Sequence, residues 1–561
     1  MSFVQSAAEL GNQYSDDRVL RSYLKRTLPA GMLAAIGPDL DALGDHAALA
    51  WRRQLHGPHG EPVLTNWDAT GERIDRLDLA PQWTEAREMA ARYGLVAAGH
   101  EATYGEYARV HQFAMVYLHH VASAFFTCPL AMTDGAAVCL KASGNALLTE
   151  RAVPRYLSRD PAQFWISGQW MTETTGGSDV SGTQTQARVD ANGRWRLYGR
   201  KWFTSAINAD TALALARPEN APAGADALAL FYLEPRRADG RWRNLRVQRL
   251  KPKLGTRELP SAETELDGAP AEPVGDLKHG VRLIAPVLNV TRAWNAVCAI
   301  ATMRRGVALA RDYANRRVVF GRPLAEQALH IETLADLQAE FEAAFHLTFY
   351  VVELLGRVQA NPGDAALQGL LRLLTPLAKL WTGKLAVALS SEVLECFGGA
   401  GYIEDTGLPQ LLRDAQVLPI WEGTTNVLSL DVLRVLRSSG GLTGYLSAQR
   451  ALLAEAVSAE SESADLGAAV RSVRDATGTL TEWLQRVASD PNALEAGARE
   501  LAIGLARCFA ASLALRHGAW SQRVEGDPRA AAAARRFTAR GLARFAVRHG
   551  DDARILAGDV S

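Results

Sequence analysis

One acidic residue lies in a setting that could prepare it for proton transfer. Glu422 follows the apolar pair Ile420 and Trp421 and precedes Gly423. The apolar neighbours would shield the carboxylate from water and raise its pKa, and the glycine would let a ligand or another backbone segment approach closely. An alternative is that Glu422 is only a helix-terminal acid, favoured by the dipole of a helix predicted over residues 425–436.

Two earlier segments carry groups that could hold a ligand. Residues 169–180 combine Thr, Ser, Asp and Gly, which offer several hydrogen-bonding groups in one turn, although such residues also form turns for purely local reasons. Residues 199–205 place aromatic rings beside hydroxyl groups, an arrangement that suits a flat heteroaromatic ring as well as it suits core packing. Taken alone, each segment leaves both interpretations open.

Metal and disulfide chemistry are not indicated. The five cysteines are far apart and form no Cys-x-x-Cys pair, which argues against a disulfide scaffold and against a zinc site. The adjacent His119 and His120 would point in different directions on a helix, with no acidic residue or cysteine at ligand spacing. We therefore expect no metal and assign both histidines to packing or to an interface.

The composition predicts a soluble protein with two or more domains. The chain has 561 residues, 48% of them apolar, and this length exceeds what one compact core usually fills. Lys+Arg and Asp+Glu are both 61, so the overall charge predicts no general affinity for nucleic acid or anionic membranes. Early acidic residues stand where a signal peptide needs an apolar stretch, and no later segment is expected to span a membrane. We expect a cytoplasmic protein.

Helical and strand patterns divide the first half of the chain into two segments. Helical spacing of apolar residues prevails up to about residue 163, for example in residues 83–93 and 104–126. Short runs separated by turn residues follow, and these predict strands in residues 183–189, 195–198 and 227–233. We predict an N-terminal helical domain over residues 1–164 and a central β domain over residues 165–280.

Helical patterns return in the second half. They cover residues 328–358, 364–397 and 425–436, and Pro286 and Pro376 are expected to kink or break helices. A break at residues 438–441 precedes a further segment rich in Ala, Leu and Arg that is again helical in pattern. We predict a helical bundle over residues 281–440, which contains Glu422, and a helical extension over residues 441–561.

This order of elements predicts a mainly helical α+β fold. A doubly wound sheet would need strands that alternate with helices, and here one β block stands between two helical regions. Neither a Gly-x-Gly-x-x-Gly motif after a strand nor a Walker loop occurs. Any nucleotide must therefore be held in another way.

The three segments, in this order, resemble the acyl-CoA dehydrogenase family over roughly residues 70 to 437. The resemblance implies an N-terminal helical domain, a central β-barrel and a helical bundle, with FAD between barrel and bundle and Glu422 as the catalytic base. It also implies that FAD is contacted by residues of the first loop, of the strand after it and of the turn after Glu422, namely Gln169, Met171, Thr172, Ser178, Phe203, Thr204, Ser205, Thr424 and Asn426.

The resemblance also assigns residues around the base. In relatives whose base comes from an earlier helix, a Glu lies near the position of Thr291, so its absence here leaves Glu422 alone in that role. An Asp at position 422 would indicate the nitroalkane-oxidase branch, and the Glu argues against it. Arg292 and Arg413 are the residues that we expect to contact the substrate.

Two further matches imply a homo-oligomer, which we expect to be a tetramer. In the family, the segments that correspond to residues 317–324 and 397–402 come from a neighbouring subunit and hold the pyrophosphate and adenosine of FAD. A guanidinium and a glycine-rich turn are both suited to a phosphate group. The residues assigned to this role are Arg317, Phe320, Gly398 and Gly399.

Within the family the chain looks most like the AidB type, the flavoproteins of the bacterial adaptive response to alkylation. The resemblance includes residues 250–255, residues 430–436 and the long C-terminal extension. Glu395, where most family members have a Gln, and Gln327, which comes one residue earlier than the usual Gln, depart from ordinary family members, and the AidB type shares both departures.

AidB-type proteins are known to bind DNA through the extension. Residues 501–561 hold ten Arg, no Lys and five acidic residues, and so carry a charge of about +5. If helical, Arg536, Arg540, Arg544 and Arg548 would form a stripe whose mutual repulsion a phosphate partner would relieve. The alternative, which we favour, is that these arginines pair with acidic surfaces of the protein itself, across a subunit contact or within the extension.

Three functions therefore stand open at this stage. The first is an FAD-dependent enzyme that oxidises an acyl-CoA or a related acyl thioester to its α,β-unsaturated form. The second is a DNA-binding flavoprotein in which dehydrogenation is vestigial, and the third is a protein that binds acyl chains without turning them over. Neither the acyl chain length nor the electron acceptor can be read from the residues.

Overall fold

The fold is that of a computed structural model, which describes residues 5–56, 60–437, 440–458, 466–545 and 552–558. The first part is mainly helical. Its six helices are α1 (Arg18–Thr27), α2 (Ala30–His56), α3 (Pro81–Arg92), α4 (Ala108–His120), α5 (Thr127–Ser143) and α6 (Ala146–Tyr156).

The first part departs from the predicted helical pattern in two places. A hairpin of β1 (Val63–Trp67) and β2 (Arg73–Asp78) interrupts the helices, and the sequence analysis missed it. Its turn is closed by Asp68, whose carboxylate accepts three hydrogen bonds from Thr70 and Glu72. The helix predicted over residues 104–126 is also divided, because the backbone turns at Ala124 and Phe125, whose φ angles of 47° and 62° are left-handed.

The central part is an eight-stranded sheet, in agreement with the predicted β domain. The strands are β3 (Ser167–Trp170), β4 (Gln186–Val189), β5 (Trp195–Ser205), β6 (Thr211–Pro218), β7 (Ala229–Leu233), β8 (Leu245–Leu250), β9 (Ser261–Pro270) and β10 (Glu272–Pro273). Their order in the sheet is β10-β7-β6-β4-β5-β9-β8, with β3 parallel to β6. No pairing between β10 and β8 closes a barrel among the described residues.

Both faces of the sheet are covered around β6 and β7. Leu213 and Leu230 belong to one cluster, which packs against α5 and α6, whereas Ala214 and Phe231 point into the interior formed by the other strands. This alternation follows from the two-residue period of a strand. The sheet is thus fixed on the helices that precede it in the chain.

The helical bundle has five helices, of which three are long. They are α7 (Gly280–Arg316), α8 (Ala328–Ala360), α9 (Ala365–Cys396), α10 (Leu408–Ala415) and α11 (Thr425–Arg437), with a small hairpin of β11 (Val318–Val319) and β12 (Arg322–Pro323) after α7. Pro286 and Pro376 do not break the helices, since both lie inside continuous ones; the alternative of a kink stays a prediction. Packing of α7 and α9 against each other outweighs the cost of a proline in a helix, roughly 3 kcal/mol.

The extension is helical, as predicted, and shares a core with the bundle. Its helices are α12 (Gly441–Ser458), α13 (Gly467–Arg486), α14 (Pro491–Val524), α15 (Arg529–Ala539) and α16 (Asp552–Leu556). Helix α14 packs against α8, α9 and α11, where the rings of Tyr350 and Phe509 lie 5.5 Å apart.

One helix among the described residues is long and apolar enough to cross a membrane, contrary to the expectation from the sequence. It is α7, and 67% of its apolar window is buried inside the protein. That burial is typical of the core helix of a globular domain.

Candidate active site

The turn between α10 and α11 holds Glu422 in an unusual backbone conformation. Its φ is 56°, and that of the following Gly423 is 100°. A left-handed conformation costs a residue with a side chain about 1–2 kcal/mol, and such residues cluster at functional sites. Something in the surrounding structure must therefore hold this turn in place.

The carboxyl group of Glu422 is directed towards helix α7. Its Oε2 accepts a hydrogen bond of 2.8 Å from the hydroxyl of Thr291. Burial raises the pKa of Glu422, while the Thr291 hydrogen bond and the charges of Arg292 and Lys379 act in the opposite direction. The half-buried residue makes this bond to α7 and not to the first amides of α11, which argues against a merely helix-terminal acid.

Arg292 is the next residue of α7 after Thr291, and it lies beside the turn that carries Glu422. Its Nη1 is 3.1 Å from Asp431 Oδ2, and its Nε points at the Glu422 carbonyl oxygen at 3.4 Å. Asp431 also accepts a hydrogen bond of 2.6 Å from Arg372. The predicted substrate residue is therefore near the base, although Asp431 already engages its guanidinium.

Lys379 is a residue of the site that the sequence analysis missed. Its Nζ donates a hydrogen bond of 2.6 Å to the carbonyl oxygen of Gly423, and its side chain is buried. Burial lowers the pKa of Lys379 to about 7, with the charge of Glu422 acting against this. The signal that could have found it is a lysine within the otherwise apolar middle of α9, since lysine is rarely buried without a role.

Aromatic rings form another side of the turn. The rings of Trp421 and Phe125 lie 5.7 Å apart, and Trp421 Nε1 is buried without a hydrogen-bond partner among the described residues. Phe125 is one of the two left-handed residues that end the α4 region. The α4–α5 connection therefore helps to shield the approach to Glu422.

The strand β5 presents its predicted flavin contacts in alternation. Phe203 is 48% exposed and Ser205 is half-buried, whereas Thr204 is fully buried and lies 2.9 Å from the hydroxyl of Thr264. The side chain of Thr204 is thus occupied inside the sheet, and only its backbone could face a cofactor. Because side chains alternate along a strand, Phe203 and Ser205 lie on one face of β5 and Thr204 lies on the other.

The loop after β3 is anchored by a buried ion pair that was not predicted. Glu173 accepts hydrogen bonds from Lys201 Nζ at 2.7 Å and from the Thr185 hydroxyl at 2.6 Å. The carbonyl oxygen of Thr172 also accepts a hydrogen bond of 2.9 Å from the amide of Trp202. These contacts bring the loop beside β5.

The predicted loop residues differ in accessibility. Met171 and Thr172 are half-buried, and Ser178 is exposed. Gln169 Oε1, on β3, is buried and has no hydrogen-bond partner among the described residues. At the start of α11, Thr424 and Asn426 are both exposed.

This set of groups fits a flavin. Phe203 offers an aromatic face, Thr172 and Ser205 offer hydroxyl groups, and Gln169 has an unused amide oxygen. Such a combination suits a flat ring with polar edges.

A contact between the sheet and α10 links these groups to the Glu422 turn. A Cβ at Gly255 would lie 2.3 Å from the Arg413 carbonyl oxygen, so this position requires glycine. The amide of Thr256 donates to Asp414 Oδ1 at 2.5 Å, and burial beside Glu258 raises the pKa of Asp414 to about 7. The side chain of Arg413 pairs instead with the exposed Glu404, so no contact brings this predicted substrate residue to Glu422.

The residues assigned to the pyrophosphate lie away from Glu422 in the single chain. Arg317 caps the end of α7, and Phe320 is 98% exposed with a φ of 51°. A Cβ at Gly398 or Gly399 would meet nothing within 4 Å. The single chain brings neither group to the other predicted flavin contacts.

The arginines of the extension are paired within the chain. Arg536 contacts Asp336 at 2.5 Å and Glu332 at 2.6 Å, and Arg540 also pairs with Asp336. The condition for a stripe, one helix through all four arginines, is not met, because α15 ends at Ala539 and Arg544 lies in a non-helical segment. Arg548 lies outside the described residues.

Comparisons with protein families cover most of the chain. Residues 5–160 match the adaptive response protein AidB N-terminal domain, and residues 168–269 match the acyl-CoA dehydrogenase middle domain. Residues 278–436 match the acyl-CoA dehydrogenase C-terminal domain, and residues 445–554 match the acyl-CoA dehydrogenase 11 C-terminal domain-like family.

Two individual proteins are similar to most of the chain. The chain is 40% identical to acyl-CoA dehydrogenase family member 11 of Caenorhabditis elegans over 92% of this chain and 86% of that protein. It is 34% identical to AidB of Escherichia coli (strain K12) over 69% of this chain and 71% of that protein.

Solved structures agree with these relatives. The C. elegans ACDH-11 complex with C11-CoA superposes with a TM-score of 0.91 at 38% identity, over 96% of this chain and 93% of that one. The Bd2924 apo-form gives a TM-score of 0.83 at 41% identity, over 92% and 100%.

The chain therefore belongs to the acyl-CoA dehydrogenase family, a class of FAD-dependent enzymes. Within that family it belongs to the AidB-like branch, as the resemblance in the sequence implied.

The pairing of Arg536 with Asp336 can be measured by a double-mutant cycle. We expect a coupling energy of about 0.5–1 kcal/mol between Arg536→Ala and Asp336→Ala in urea unfolding, weakened by high salt, because the pair is partly exposed.

The same two variants separate pairing from DNA binding. If Arg536 held a phosphate instead, Arg536→Ala would weaken duplex binding and Asp336→Ala would strengthen it. We expect neither variant to change the affinity for duplex DNA. A salt-dependent loss of affinity in Arg536→Ala together with a gain in Asp336→Ala would contradict the pairing.

Proposed function

We propose that the protein is an FAD-dependent dehydrogenase that oxidises an acyl-CoA to its α,β-unsaturated form, with Glu422 as the base that removes the α-proton. The observation that carries this proposal is the environment of Glu422. Its carboxyl group is held by Thr291 in a half-buried turn, and burial raises its pKa towards the range that suits a base near neutral pH.

Glu422 is better suited to this role than the neighbouring carboxylate of Asp431. Burial alone would raise the pKa of Asp431, but the hydrogen bond and charge of Arg372 and the charge of Arg292 hold it below the usual range. Those two arginines also occupy the Asp431 oxygens. Asp431 therefore orients Arg292, and Glu422 remains available to accept a proton.

In the proposed reaction the residues of the chain divide the work. Glu422 accepts the α-proton, and the Thr291 hydroxyl stabilises its ionised form beforehand. The rings of Trp421 and Phe125 limit the access of water. Phe203, Ser205 and Thr172 would orient the FAD ring, which when bound accepts the β-hydrogen as hydride.

The substrate class follows from the chain's relatives and from the site. The ACDH-11 structure is a complex with C11-CoA, and the similarity to it covers 96% of this chain. We infer that a fatty acyl-CoA of comparable length is a substrate here, with Arg292 near its reacting end. The C11-CoA thioester is therefore the first compound to test.

The proposed cofactor site needs a second subunit. Phe320 and Tyr402 are 98% and 87% exposed, in the two segments that the family resemblance assigns to a neighbour's FAD. Large exposed apolar groups are typical of an interface. We infer a homo-oligomer, a tetramer by analogy with the family, in which Arg317, Gly398 and Gly399 reach the FAD of another subunit.

DNA binding, the second hypothesis from the sequence, finds less support. Two of the four arginines on which it rested, Arg536 and Arg540, are bonded to acidic residues of α8. This pairing supports the alternative that the arginines fasten the extension to the bundle.

Replacing the base tests the proposed function. We expect Glu422→Gln to lower the rate of anaerobic flavin bleaching by C11-CoA by roughly 10²- to 10⁴-fold, because the amide cannot accept the proton. Bound FAD, measured by the visible spectrum, should be retained. Glu404→Gln, at an exposed acidic residue, is the matched control. Bleaching at an unchanged rate in Glu422→Gln would refute the assignment of the base.

The Thr291 hydroxyl tests the electrostatic part of the proposal. Its hydrogen bond stabilises the carboxylate and so lowers the pKa of Glu422, which means that Thr291→Val should raise that pKa. The acidic limb of the pH profile for flavin reduction should move to higher pH, while the rate at alkaline pH changes little. A shift to lower pH, or no shift, would show that Thr291 does not set the pKa of the base.

A further inference from the structure

The left-handed turn at Glu422 and Gly423 is held from two helices. Lys379 of α9 donates to the Gly423 carbonyl oxygen at 2.6 Å, and Arg292 of α7 points at the Glu422 carbonyl oxygen at 3.4 Å. The shorter of these two contacts comes from Lys379. Two successive carbonyl groups are thus turned towards cations. The Glu422 side chain branches from the backbone immediately before the first of them, so these contacts restrain the backbone that carries it.

The segment before the turn is fixed by the same two helices. Asn295 of α7 donates to the Leu418 carbonyl oxygen at 3.2 Å, and a Cβ at Gly383 of α9 would lie 3.0 Å from that same oxygen. Gly383 stands one helical turn after Lys379. Helix α9 therefore approaches the chain closely at Leu418, and its lysine reaches the carbonyl five residues further on.

The surroundings of Lys379 leave this carbonyl as its main partner. Its side chain is fully buried in α9, and among the described residues its hydrogen bond goes to a backbone carbonyl oxygen and not to a carboxylate. A buried amino group without an ion-pair partner is costly unless it serves a purpose. The charge of Glu422 is the one that acts most strongly in its favour.

We propose that Lys379 is a positioning residue, which holds Glu422 and Gly423 in their left-handed conformation through the hydrogen bond from Nζ to the Gly423 carbonyl oxygen. This inference rests on the proposed function, because it concerns the orientation of the proposed base. Lys379 acts through the backbone and does not itself touch the reacting atoms. Without it, the turn would relax towards conformations in which the carboxyl group of Glu422 points elsewhere.

The test uses the FAD-bound oligomer with C11-CoA and three variants of α9. Lys379→Met removes the donor and the charge but keeps an unbranched side chain that is only one atom shorter. Lys379→Gln keeps an N–H donor, one atom shorter, without the charge. Lys384→Met, at an exposed lysine of the same helix, is the matched control.

The positioning role predicts a graded effect on flavin reduction. Lys379→Met should lower the rate constant roughly 10- to 100-fold, with the dissociation constant of C11-CoA nearly unchanged, because misplacement of a catalytic group affects the chemical step. Lys379→Gln should recover part of the loss, and Lys384→Met should match the unmodified protein. Equal rates in Lys379→Met and in the unmodified protein would overturn the proposal.

The pH profile separates the hydrogen bond from the charge. Glu422 is faced by the hydroxyl of Thr291 and the guanidinium of Arg292 from α7, and by Lys379 from α9. The charge of Lys379 lowers the pKa of Glu422, so its loss should raise that pKa. The acidic limb of the pH profile for flavin reduction should therefore move to higher pH in both Lys379→Met and Lys379→Gln. A purely structural role in folding would lower the amount of active protein without moving this limb.

Hydrogen exchange gives a readout that does not depend on turnover. Amides of residues 421–425 should exchange faster in Lys379→Met than in Lys384→Met, with the rest of α9 unchanged. If Lys379→Met does not retain FAD, Lys379→Gln carries the same comparisons. Unchanged exchange in the turn would contradict the positioning role.

These outcomes are distinct from failure of the proposed function. If Glu422→Gln still bleaches the flavin, the base is another group, whatever Lys379 does. If Glu422→Gln blocks bleaching and the Lys379 variants change neither rate nor exchange, only the positioning role is refuted.

Discussion

A base for an α-proton must be shielded enough to hold a raised pKa and yet fixed firmly enough to point at one carbon atom. In this protein both requirements meet in the short turn that carries Glu422. Burial raises the pKa of the carboxyl group, and the Thr291 hydroxyl and two neighbouring cations limit that rise. The same groups that tune the carboxyl group also restrain the backbone that carries it. Chemistry and position are therefore set by one group of contacts.

The rest of the fold brings two helices and a sheet to that turn. Helix α7 supplies Thr291, and α9 supplies Lys379. The sheet reaches the same region through the contact of Gly255 with the chain at Arg413. The extension packs on the bundle, where α14 contacts α8, α9 and α11, and α15 contacts α8. Its paired arginines strengthen that attachment.

The order of helical and β segments could be predicted because it depends on local patterns, and the fold confirms it. Glu422 was assigned as the base from the family resemblance, and that assignment stays a prediction. The apolar approach to Glu422 and the alternation of Phe203 and Ser205 are visible in short segments. Lys379 and the Glu173–Lys201 pair were missed because the partners in these contacts lie 44 and 28 residues apart in the chain. A lysine in an apolar helix is a local signal for Lys379, but it does not identify the partner. The proline breaks failed for the same reason, since packing between long helices overrode a local preference.

The central claim is that the Glu422 carboxyl group faces the α-carbon of a bound acyl thioester. A crystal structure of the FAD-bound protein with a 3-thia acyl-CoA tests it directly, because this analogue has an α-proton but no β-hydrogen to transfer. We expect a Glu422 carboxylate oxygen about 3–3.5 Å from the α-carbon, with the flavin on the opposite side of the acyl chain. A carboxyl group turned away towards solvent, or a different basic group at that distance, would contradict it.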